Sequence, residues 1–275
     1  KKKIEYRLDR KSILYILFSI LLKTKNMKTA YIVKAYRTAV GKAPKGVFRF
    51  KRPDELAAET IQFMMNELPD FDKKRIDDVM VGNAMPEAEQ GLNVGRLISL
   101  MGLKVTDVPG VTVNRYCASG LETIGMATAK IQSGMADCII AGGAESMSFI
   151  PMGGYKPTPD YAVAASGNED YYWGMGLTAE AVAKQFNVSR EDQDEFAFHS
   201  HQKALKAQAE GKFDKQIVPI TVEQTFINEN GKKETKSYIV KKDEGPRADT
   251  NVAALGKLKP VFSADGSVTA GNSSQ

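Results

Sequence analysis

Short apolar runs and helix-spaced apolar patterns alternate along the first half of the chain. Strands are predicted over residues 29–39, 76–85 and 110–117 and in a short apolar run from residue 136 that Gly142 and Gly143 close, and helices over 53–68, 93–103 and 119–131. Pro53 is favoured at the first position of a helix, and Gly102 is expected to stop the second helix. Strands that alternate with helices in this way indicate an α/β layer with a mostly parallel sheet.

The character of the chain changes after Met147. Residues 151–176 are rich in Pro, Gly and Tyr, show no clear period and predict a long loop. The block that follows returns to helices and strands of its own. We therefore predict a core domain over residues 27–146 and an inserted α/β loop domain over residues 147–275.

Two helices and a hairpin are predicted within the second block. The helices cover residues 178–186 and 191–211. Ser189, with Asp192 three residues later, is a relative of the capping box and marks the start of the second helix. Asn230-Gly231 lies between two apolar runs and is a typical hairpin turn.

The first 26 residues differ from the rest in composition. They hold eight basic and two acidic side chains, a net charge of +6 against +5 for the whole chain, so the remainder carries −1. The apolar run 13–22 is about half of the roughly 20 residues that a membrane-spanning helix needs. We expect residues 1–26 to lie outside the fold, with Met27 as the natural start; an amphipathic anchor and a degenerate targeting peptide are the alternatives. A body near neutrality predicts neither a nucleic-acid nor a membrane partner.

Cysteine and histidine are scarce. Cys117 and Cys138 are the only cysteines, so no disulfide framework is predicted and a cytoplasmic location is the default. His199 and His201 are the only histidines, and two positions apart on a helix they face different sides. They therefore do not form the i, i+4 pair of a zinc helix, and no metal site is predicted.

Cys117 is the candidate for chemistry, because it stands where a predicted strand gives way to a predicted helix. Ser119 and Glu122, three residues apart, form the pattern of a capping box at the start of that helix. A helix N-terminus stabilises a thiolate, and the small residues 118–120 leave room for an acyl group, while the amides of the turn could bind an oxyanion. A lone cysteine is most often a small side chain of the apolar core. We interpret Cys138 in this way, and for Cys117 a core role is the alternative to a nucleophile.

Six segments resemble motifs of the thiolase family. NRYCASGLETIGMA, around Cys117, is similar to the nucleophile motif, and AGGAESMS is similar to the signature that follows it. GMGLTAEAVAKQF, SREDQDEFAFHSHQKA, DEGPRADT and LKPVFSADGSVTAGNSSQ occur in thiolase order. The nearest subfamily is the degradative 3-ketoacyl-CoA thiolases, also called acetyl-CoA acyltransferases. The resemblance implies a layered α-β-α fold with a mostly parallel mixed sheet, and acyl transfer between a 3-ketoacyl-CoA and coenzyme A, as in fatty-acid β-oxidation.

The resemblance also implies roles for individual residues. Cys117 matches the cysteine that attacks the ketoacyl carbonyl and becomes acylated, with its backbone N–H as an oxyanion donor. Arg247 matches a residue beside the nucleotide end of coenzyme A. Met175, Ala270 and Ser274 match positions that line the pantetheine channel. Coenzyme A is then a co-substrate rather than a permanently bound cofactor, and the full-length protein is expected to be a homodimer or homotetramer.

The sequence departs from the family pattern in two ways. Gly174 stands where short-chain acetoacetyl-CoA thiolases place a histidine, which favours a broader acyl pocket. Thiolases also continue into a second half that supplies a base histidine and a second cysteine. This sequence shows neither residue, because His199 and His201 do not lie in the motif of the base histidine. We therefore expect this polypeptide to be an inactive N-terminal part of a thiolase. The alternatives are a catalytically silent acyl-CoA-binding or dimerisation fragment and a ketoacyl-synthase-like condensing enzyme.

Overall fold

A computed structural model describes residues 27–274, so the expectation for residues 1–26 lies outside the described range. The strands are β1 Arg37–Thr38, β2 Asp78–Gly82, β3 Gly110–Val113, β4 Ile139–Gly143, β5 Ile217–Val218, β6 Ile220–Ile227 and β7 Lys233–Val240. The helices are α1 Pro53–Asn66, α2 Val94–Leu103, α3 Ser119–Gln132, α4 Tyr161–Ala164, α5 Met175–Phe186, α6 Arg190–Ala209 and α7 Val252–Leu255. Short 3-10 helices lie at Lys73–Arg75, Ala88–Gln90 and Glu169–Tyr172. None of the helices between residues 27 and 274 is long and apolar enough to cross a bilayer.

The central sheet is parallel, in the order β3–β2–β4. All residues of β2 are buried, whereas β3 and β4 flank it and are mostly half-buried. The chain passes from β2 through α2 to β3, and from β3 through α3 to β4, as parallel pairing requires. The predicted α/β layer with a parallel sheet is confirmed.

Helices cover both faces of this sheet. On one face, Val79 and Val81 of β2 join Ile98 of α2 in a buried apolar cluster to which α1 also contributes. Each large apolar side chain buried in this way contributes about 1.5–3 kcal/mol. Met80 alternates to the other face, which α3 covers. The layers are therefore helix, sheet and helix.

Two glycines permit the closest approaches between these layers. A Cβ atom at Gly82 would lie 2.4 Å from the backbone carbonyl carbon of Ser119, the first residue of α3. A Cβ atom at Gly95 of α2 would lie 2.3 Å from the carbonyl oxygen of Val111 in β3. Since only glycine lets backbones approach so closely, the start of α3 rests directly on β2.

The end of α2 corrects the prediction for Gly102. The helix runs through Gly102 to Leu103 and ends at Lys104, which has a left-handed φ of 58°. A Cβ atom at Gly102 would lie 3.0 Å from the side chain of Ile61 in α1. The glycine is therefore explained by close packing of α1 on α2, not by helix termination.

The start of α3 corrects the capping-box prediction. Ser119 is the first helical residue, and Ala118 occupies the cap position without a side-chain cap. Glu122 is not part of a cap either, because its carboxylate pairs with the guanidinium of Arg115 at 2.9 Å. At α6, in contrast, Ser189 and Asp192 form a complete capping box.

The apolar spacing of α3 predicts the helix correctly but not its buried face. Leu121 and Ile124 are exposed, Leu121 to 73%. The face that packs on the sheet carries the small or polar side chains of Ser119, Thr123 and Ala127. The small side chains on this face, together with Gly82 of β2 beneath it, allow α3 to approach the sheet closely.

The first strand is much shorter than predicted. Of residues 29–39, only Arg37–Thr38 form a strand, which pairs in parallel with Ile217–Val218. Tyr31, Ile32 and Val33 are each at least 78% exposed. Their alternation is typical of a strand, but no neighbouring strand among residues 27–274 pairs with them, and a strand needs a partner for its backbone groups.

A second apolar cluster links the two predicted domains. Ala39 and Phe48 from the first block pack with Val218 and Val240 from the second, among other residues. The β6–β7 hairpin belongs to this cluster and turns at the predicted position, with Gly231 at a φ of 72°. The division into residues 27–146 and 147–275 stays a prediction, and the pairing of β1 with β5 crosses it.

An ion pair beside this cluster makes a prediction about stability and pH. Asp243 accepts hydrogen bonds from the Arg37 guanidinium at 2.7 and 3.0 Å and from the Val40 N–H at 2.8 Å. Arg37 above all, with help from Val40 and against the effect of burial, lowers the pKa of Asp243. A lowered folded-state pKa stabilises the fold above the unfolded value of about 3.9, and this stabilisation is lost as the pH falls towards the folded value.

We therefore expect Asp243→Asn to lower the free energy of unfolding by about 1.5–3 kcal/mol at pH 7. The difference from wild type should shrink below about pH 4, because the wild-type carboxylate then loses its advantage. Urea unfolding at pH 7 and near pH 3.5 measures both values. The matched control is Asp107→Asn, which breaks an exposed pair with Lys74 and should change stability far less, because solvent screens such a pair. An equal loss of unfolding free energy at both pH values would contradict a stabilising role for the ionised Asp243 carboxylate.

Candidate active site

Cys117 lies in a turn at the carboxyl end of β3, two residues before the start of α3. Its side chain is exposed. Since β2, β3 and β4 are parallel, their carboxyl ends share one edge of the sheet, which is where α/β folds commonly bind ligands. The structure therefore places this thiol at the strand-to-helix turn expected from the sequence.

Side chains of the neighbouring residues hold the turn. The Ser119 hydroxyl is buried, accepts a hydrogen bond from the Arg115 N–H at 2.8 Å and donates one to the Tyr116 carbonyl at 2.5 Å. The Asn114 side-chain oxygen accepts a hydrogen bond from the Tyr116 N–H at 2.9 Å. Tyr116 has a φ of 47°, an uncommon conformation for an aromatic residue, and it precedes Cys117 directly. The motif residues Asn114 and Ser119 thus shape the backbone that presents the thiol.

A network of polar side chains occupies the same edge of the sheet. Asn83 follows β2 and is buried, and its side-chain amide donates to the Ala144 carbonyl at 2.7 Å. Gln90, also buried, donates to the carboxylate of Glu145 at 2.7 Å. The side-chain oxygen of Asn83 is buried without a hydrogen-bond partner among the described residues, which leaves an acceptor available at this edge.

Asn83 and Gln90 are not among the site residues predicted from the sequence, and Glu145 is there only as part of the AGGAESMS motif. A usable signal exists for Asn83, because a polar residue directly after a buried strand lies at the carboxyl edge of a parallel sheet. Gln90 gives no such signal, because it ends the 3-10 helix Ala88–Gln90 and does not directly follow a strand in the sequence.

Cys138 differs from Cys117 in exposure and in electrostatics. It is half-buried directly before β4 and packs against the main apolar cluster. Burial raises the pKa of its thiol, and the nearby carboxylate of Asp77 acts in the same direction. Less thiolate is then present at neutral pH, which agrees with the interpretation of Cys138 as a core residue.

We expect Cys117 to be alkylated faster than Cys138 in the folded protein, because its thiol is exposed, whereas Cys138 is half-buried and burial raises the pKa of that thiol. A substoichiometric amount of iodoacetamide, followed by peptide mass spectrometry, measures the two rates. Denatured protein is the control, in which both thiols should react at similar rates. Equal labelling, or a preference for Cys138, in the folded state would remove the basis for choosing Cys117.

Arg247, assigned by resemblance to the nucleotide end of coenzyme A, is exposed on the loop after β7. Its guanidinium pairs with Asp249 at 2.9 Å, and its N–H donates to the His201 side chain at 3.1 Å. The bond to Asp249 raises the pKa of Arg247, so the guanidinium is charged. An exposed, charged guanidinium can bind a phosphate once its ion pair with Asp249 is broken.

Met175, Ala270 and Ser274 lie on parts of the chain that pack together. Met175 is the first residue of α5 and is exposed, and Ala270 and Ser274 are exposed in the segment that ends the described chain. This segment is tied to α5 by the carboxylate of Glu180, which accepts the Ser267 and Val268 N–H groups, each at 2.9 Å. Within residues 27–274, no hydrogen bond joins these positions or Arg247 to the Cys117 turn.

The two histidines belong to α6 and not to the Cys117 turn. His199 faces Glu195 at 3.6 Å, and His201 accepts the Arg247 N–H. In the part of the chain that the structure describes, no group of three His, Cys, Asp or Glu side chains is arranged to hold a metal ion. Among the described residues, neither histidine forms a hydrogen bond with Cys117.

A layered α/β fold that exposes a cysteine between a strand and a helix defines a class of protein suited to nucleophilic thiol chemistry. Residues 30–275 match the family model described as "Thiolase, N-terminal domain". The chain therefore belongs to the thiolase family, which confirms the resemblance seen in its motifs.

Named relatives agree with this assignment. Over 250 residues the chain is 52% identical to a 3-ketoacyl-CoA thiolase of Bacillus subtilis, and over 263 residues it is 40% identical to a beta-ketoadipyl-CoA thiolase of Acinetobacter baylyi. The crystal structure of the Bacillus anthracis acetyl-CoA acetyltransferase superimposes with a TM-score of 0.75 at 33% identity. Each match covers 90% of this chain and 63% of the relative, so the chain spans less than two thirds of their length.

Proposed function

We propose that this chain supplies the nucleophile of a thiolase, in which Cys117 carries an acyl group between a 3-ketoacyl-CoA and coenzyme A. The observation that carries the proposal is the exposed Cys117 thiol on the turn before α3, in a chain 52% identical to a 3-ketoacyl-CoA thiolase. The reaction runs as thiolytic cleavage to acetyl-CoA and a shortened acyl-CoA, or in reverse as a Claisen condensation.

The proposed cleavage has two halves. The Cys117 thiolate attacks the 3-keto carbon, and the bond between carbons 2 and 3 then breaks with its electron pair passing to carbon 2. A proton delivered to carbon 2 releases acetyl-CoA and leaves the shortened acyl group as a thioester on Cys117. The thiolate of coenzyme A attacks this thioester, which releases the acyl-CoA and restores Cys117. The Cys117 N–H, at the turn before α3, is the proposed donor to the oxyanion.

Coenzyme A acts in this proposal as a co-substrate. Arg247 binds near its nucleotide end, and Met175, Ala270 and Ser274 line the path of its pantetheine arm. Their exposure and the packing of the final segment on α5 support a shared surface for these contacts. The whole protein is proposed to be a cytoplasmic homodimer or homotetramer.

A second candidate is a catalytically silent fragment that binds acyl-CoA or forms dimers. It is favoured by the contacts of the two histidines, since His199 lies against Glu195 and His201 accepts the Arg247 N–H, and neither of these contacts involves Cys117. A fragment that binds acyl-CoA would share the binding of coenzyme A with the first candidate, but only the first candidate predicts that Cys117 becomes acylated.

A chimera tests the proposal. This chain is joined to the part of the Bacillus subtilis relative that it does not match, and a 3-ketoacyl-CoA is added. We expect mass spectrometry of the quenched protein to find the acyl group on Cys117. The matched Cys117→Ala chimera should carry no acyl group and should not turn over. Acylation at another residue, or turnover by the alanine variant, would exclude Cys117 as the nucleophile.

A further inference from the structure

The carboxylate of Glu145 lies at the edge of the sheet where the Cys117 turn is also found. Glu145 lies two positions after the last residue of β4, Ala84 lies two positions after the last residue of β2, and Asn114 follows β3 directly. Because the three strands are parallel, these residues meet although they are far apart in the chain. The Glu145 side chain is exposed at this edge, whereas the amides that bind it are largely buried.

Three N–H donors converge on the Glu145 carboxylate. One oxygen accepts the Ala84 N–H at 2.6 Å, and the other accepts the side-chain amides of Gln90 at 2.7 Å and Asn83 at 3.3 Å. Gln90 cannot turn around, since its amide also donates to the Met85 carbonyl at 2.9 Å and its oxygen accepts the Ser146 N–H at 2.6 Å. A carboxylate fits this set because it only accepts, whereas a glutamine would place its NH2 group against a donor.

A short series of bonds leads from Glu145 to Cys117. Ala84, whose N–H binds Glu145, accepts the Asn114 side-chain amide at its carbonyl at 3.1 Å. The oxygen of the same Asn114 side chain accepts the Tyr116 N–H at 2.9 Å. Tyr116 is held in the left-handed region, and Cys117 is the next residue. Such a conformation in an aromatic residue persists only where its surroundings enforce it.

We propose that Glu145 is a positioning residue for Cys117, which acts through Ala84 and Asn114 to hold the turn that presents the thiol. Its importance for acyl transfer rests on the function proposed above. Its effect on the turn does not, because that effect follows from the hydrogen bonds alone.

The test compares Glu145→Gln and Glu145→Asp with wild type in the 275-residue chain. Iodoacetamide alkylation is followed at Cys117 and at Cys138 in the same molecules by peptide mass spectrometry. We expect Glu145→Gln to slow Cys117 by about fivefold, comparable to the loss of one net hydrogen bond that orders the turn amides next to the thiolate. Glu145→Asp keeps the negative acceptor and should restore the rate to within about twofold of wild type.

Two controls separate positioning from a general loss of structure. Cys138 is half-buried, so a general loosening of the fold would speed its reaction, while loosening of the turn leaves it unchanged. Glu87→Gln is the matched substitution, since Glu87 accepts a backbone N–H from Tyr155 at 2.9 Å and lies outside the route to Cys117. If Glu145→Gln does not fold, Asn114→Ala interrupts the same route at its middle and should slow Cys117 likewise.

An unchanged or faster Cys117 rate in Glu145→Gln, an equal slowing in Glu87→Gln, or no recovery in Glu145→Asp would overturn the proposal. Alkylation needs no coenzyme A. The alkylation rates of the Glu145 variants therefore test the positioning role even if the chimera is not acylated at Cys117. Conversely, an acylated chimera with an unaffected Glu145→Gln variant would support the function and reject the positioning role.

Discussion

Assayed by itself, the 275-residue polypeptide is expected to show no coenzyme A-dependent cleavage of a 3-ketoacyl-CoA above that of its Cys117→Ala variant. The proposed reaction needs a base for the Cys117 thiol, because a free thiol is only a few per cent thiolate at neutral pH, and it needs an acid for carbon 2. In the described part of the chain, His199 lies against Glu195 and His201 accepts the Arg247 N–H, and neither histidine forms a hydrogen bond with Cys117. Since such assistance contributes about 10²- to 10⁴-fold for each group, a Cys117 turn without an acid and a base beside it should lose most of the rate.

The chimera with the remaining part of the Bacillus subtilis relative is the positive control in the same assay. A spectrophotometric assay of 3-ketoacyl-CoA loss, with and without coenzyme A, gives the rates. Robust turnover by the 275-residue polypeptide would mean that acid and base groups lie within it, and the mechanism given for Cys117 would have to be replaced.

Gly82→Ala is expected to lower the free energy of unfolding by about 1–3 kcal/mol or more, as overpacking of a rigid site does. The added Cβ would meet the backbone of Ser119 and Gly120 at 2.4–2.5 Å, and neither strand β2 nor the start of α3 can move without disturbing the layers. Because Ser119 also holds the Cys117 turn, the alkylation rate of Cys117 should change together with stability. Urea unfolding and iodoacetamide alkylation measure the two effects.

Gly125→Ala is the matched control for this substitution. Gly125 lies within α3, and nothing stands within 4 Å of the Cβ that an alanine would add. Alanine should therefore stabilise the protein by about 0.5–1 kcal/mol through its higher helix propensity. A neutral Gly82→Ala, or equal effects at the two glycines, would show that α3 does not rest on β2 as described.

The position of α3 also explains why its apolar residues do not form its buried face. Close contact with β2 selects small side chains at Ser119, Thr123 and Ala127, so the larger apolar residues face outward. Leu121 and Ile124 have the spacing of an amphipathic helix, and periodicity identifies that spacing without identifying the layer that each side chain meets.

The sequence by itself determined the elements whose signals are local. The helices at Pro53–Asn66 and Arg190–Ala209, the buried strand Asp78–Gly82 and the turn at Asn230-Gly231 all follow from periodicity, capping or turn chemistry within a few residues. Its motifs also determined the family and placed Cys117 between a strand and a helix, because a nucleophile turn requires specific residues close together in the chain.

Only the tertiary structure decided features that depend on residues far apart. Gly102 is a packing glycine because Ile61 of another helix lies against it, and residues 29–36 are not a strand because no described strand pairs with them. The link from Glu145 to Asn114 exists because parallel strands bring their carboxyl ends to one edge. A hydrogen bond between such residues leaves no periodic trace in the sequence, since it depends on the register of strands and not on spacing along the chain.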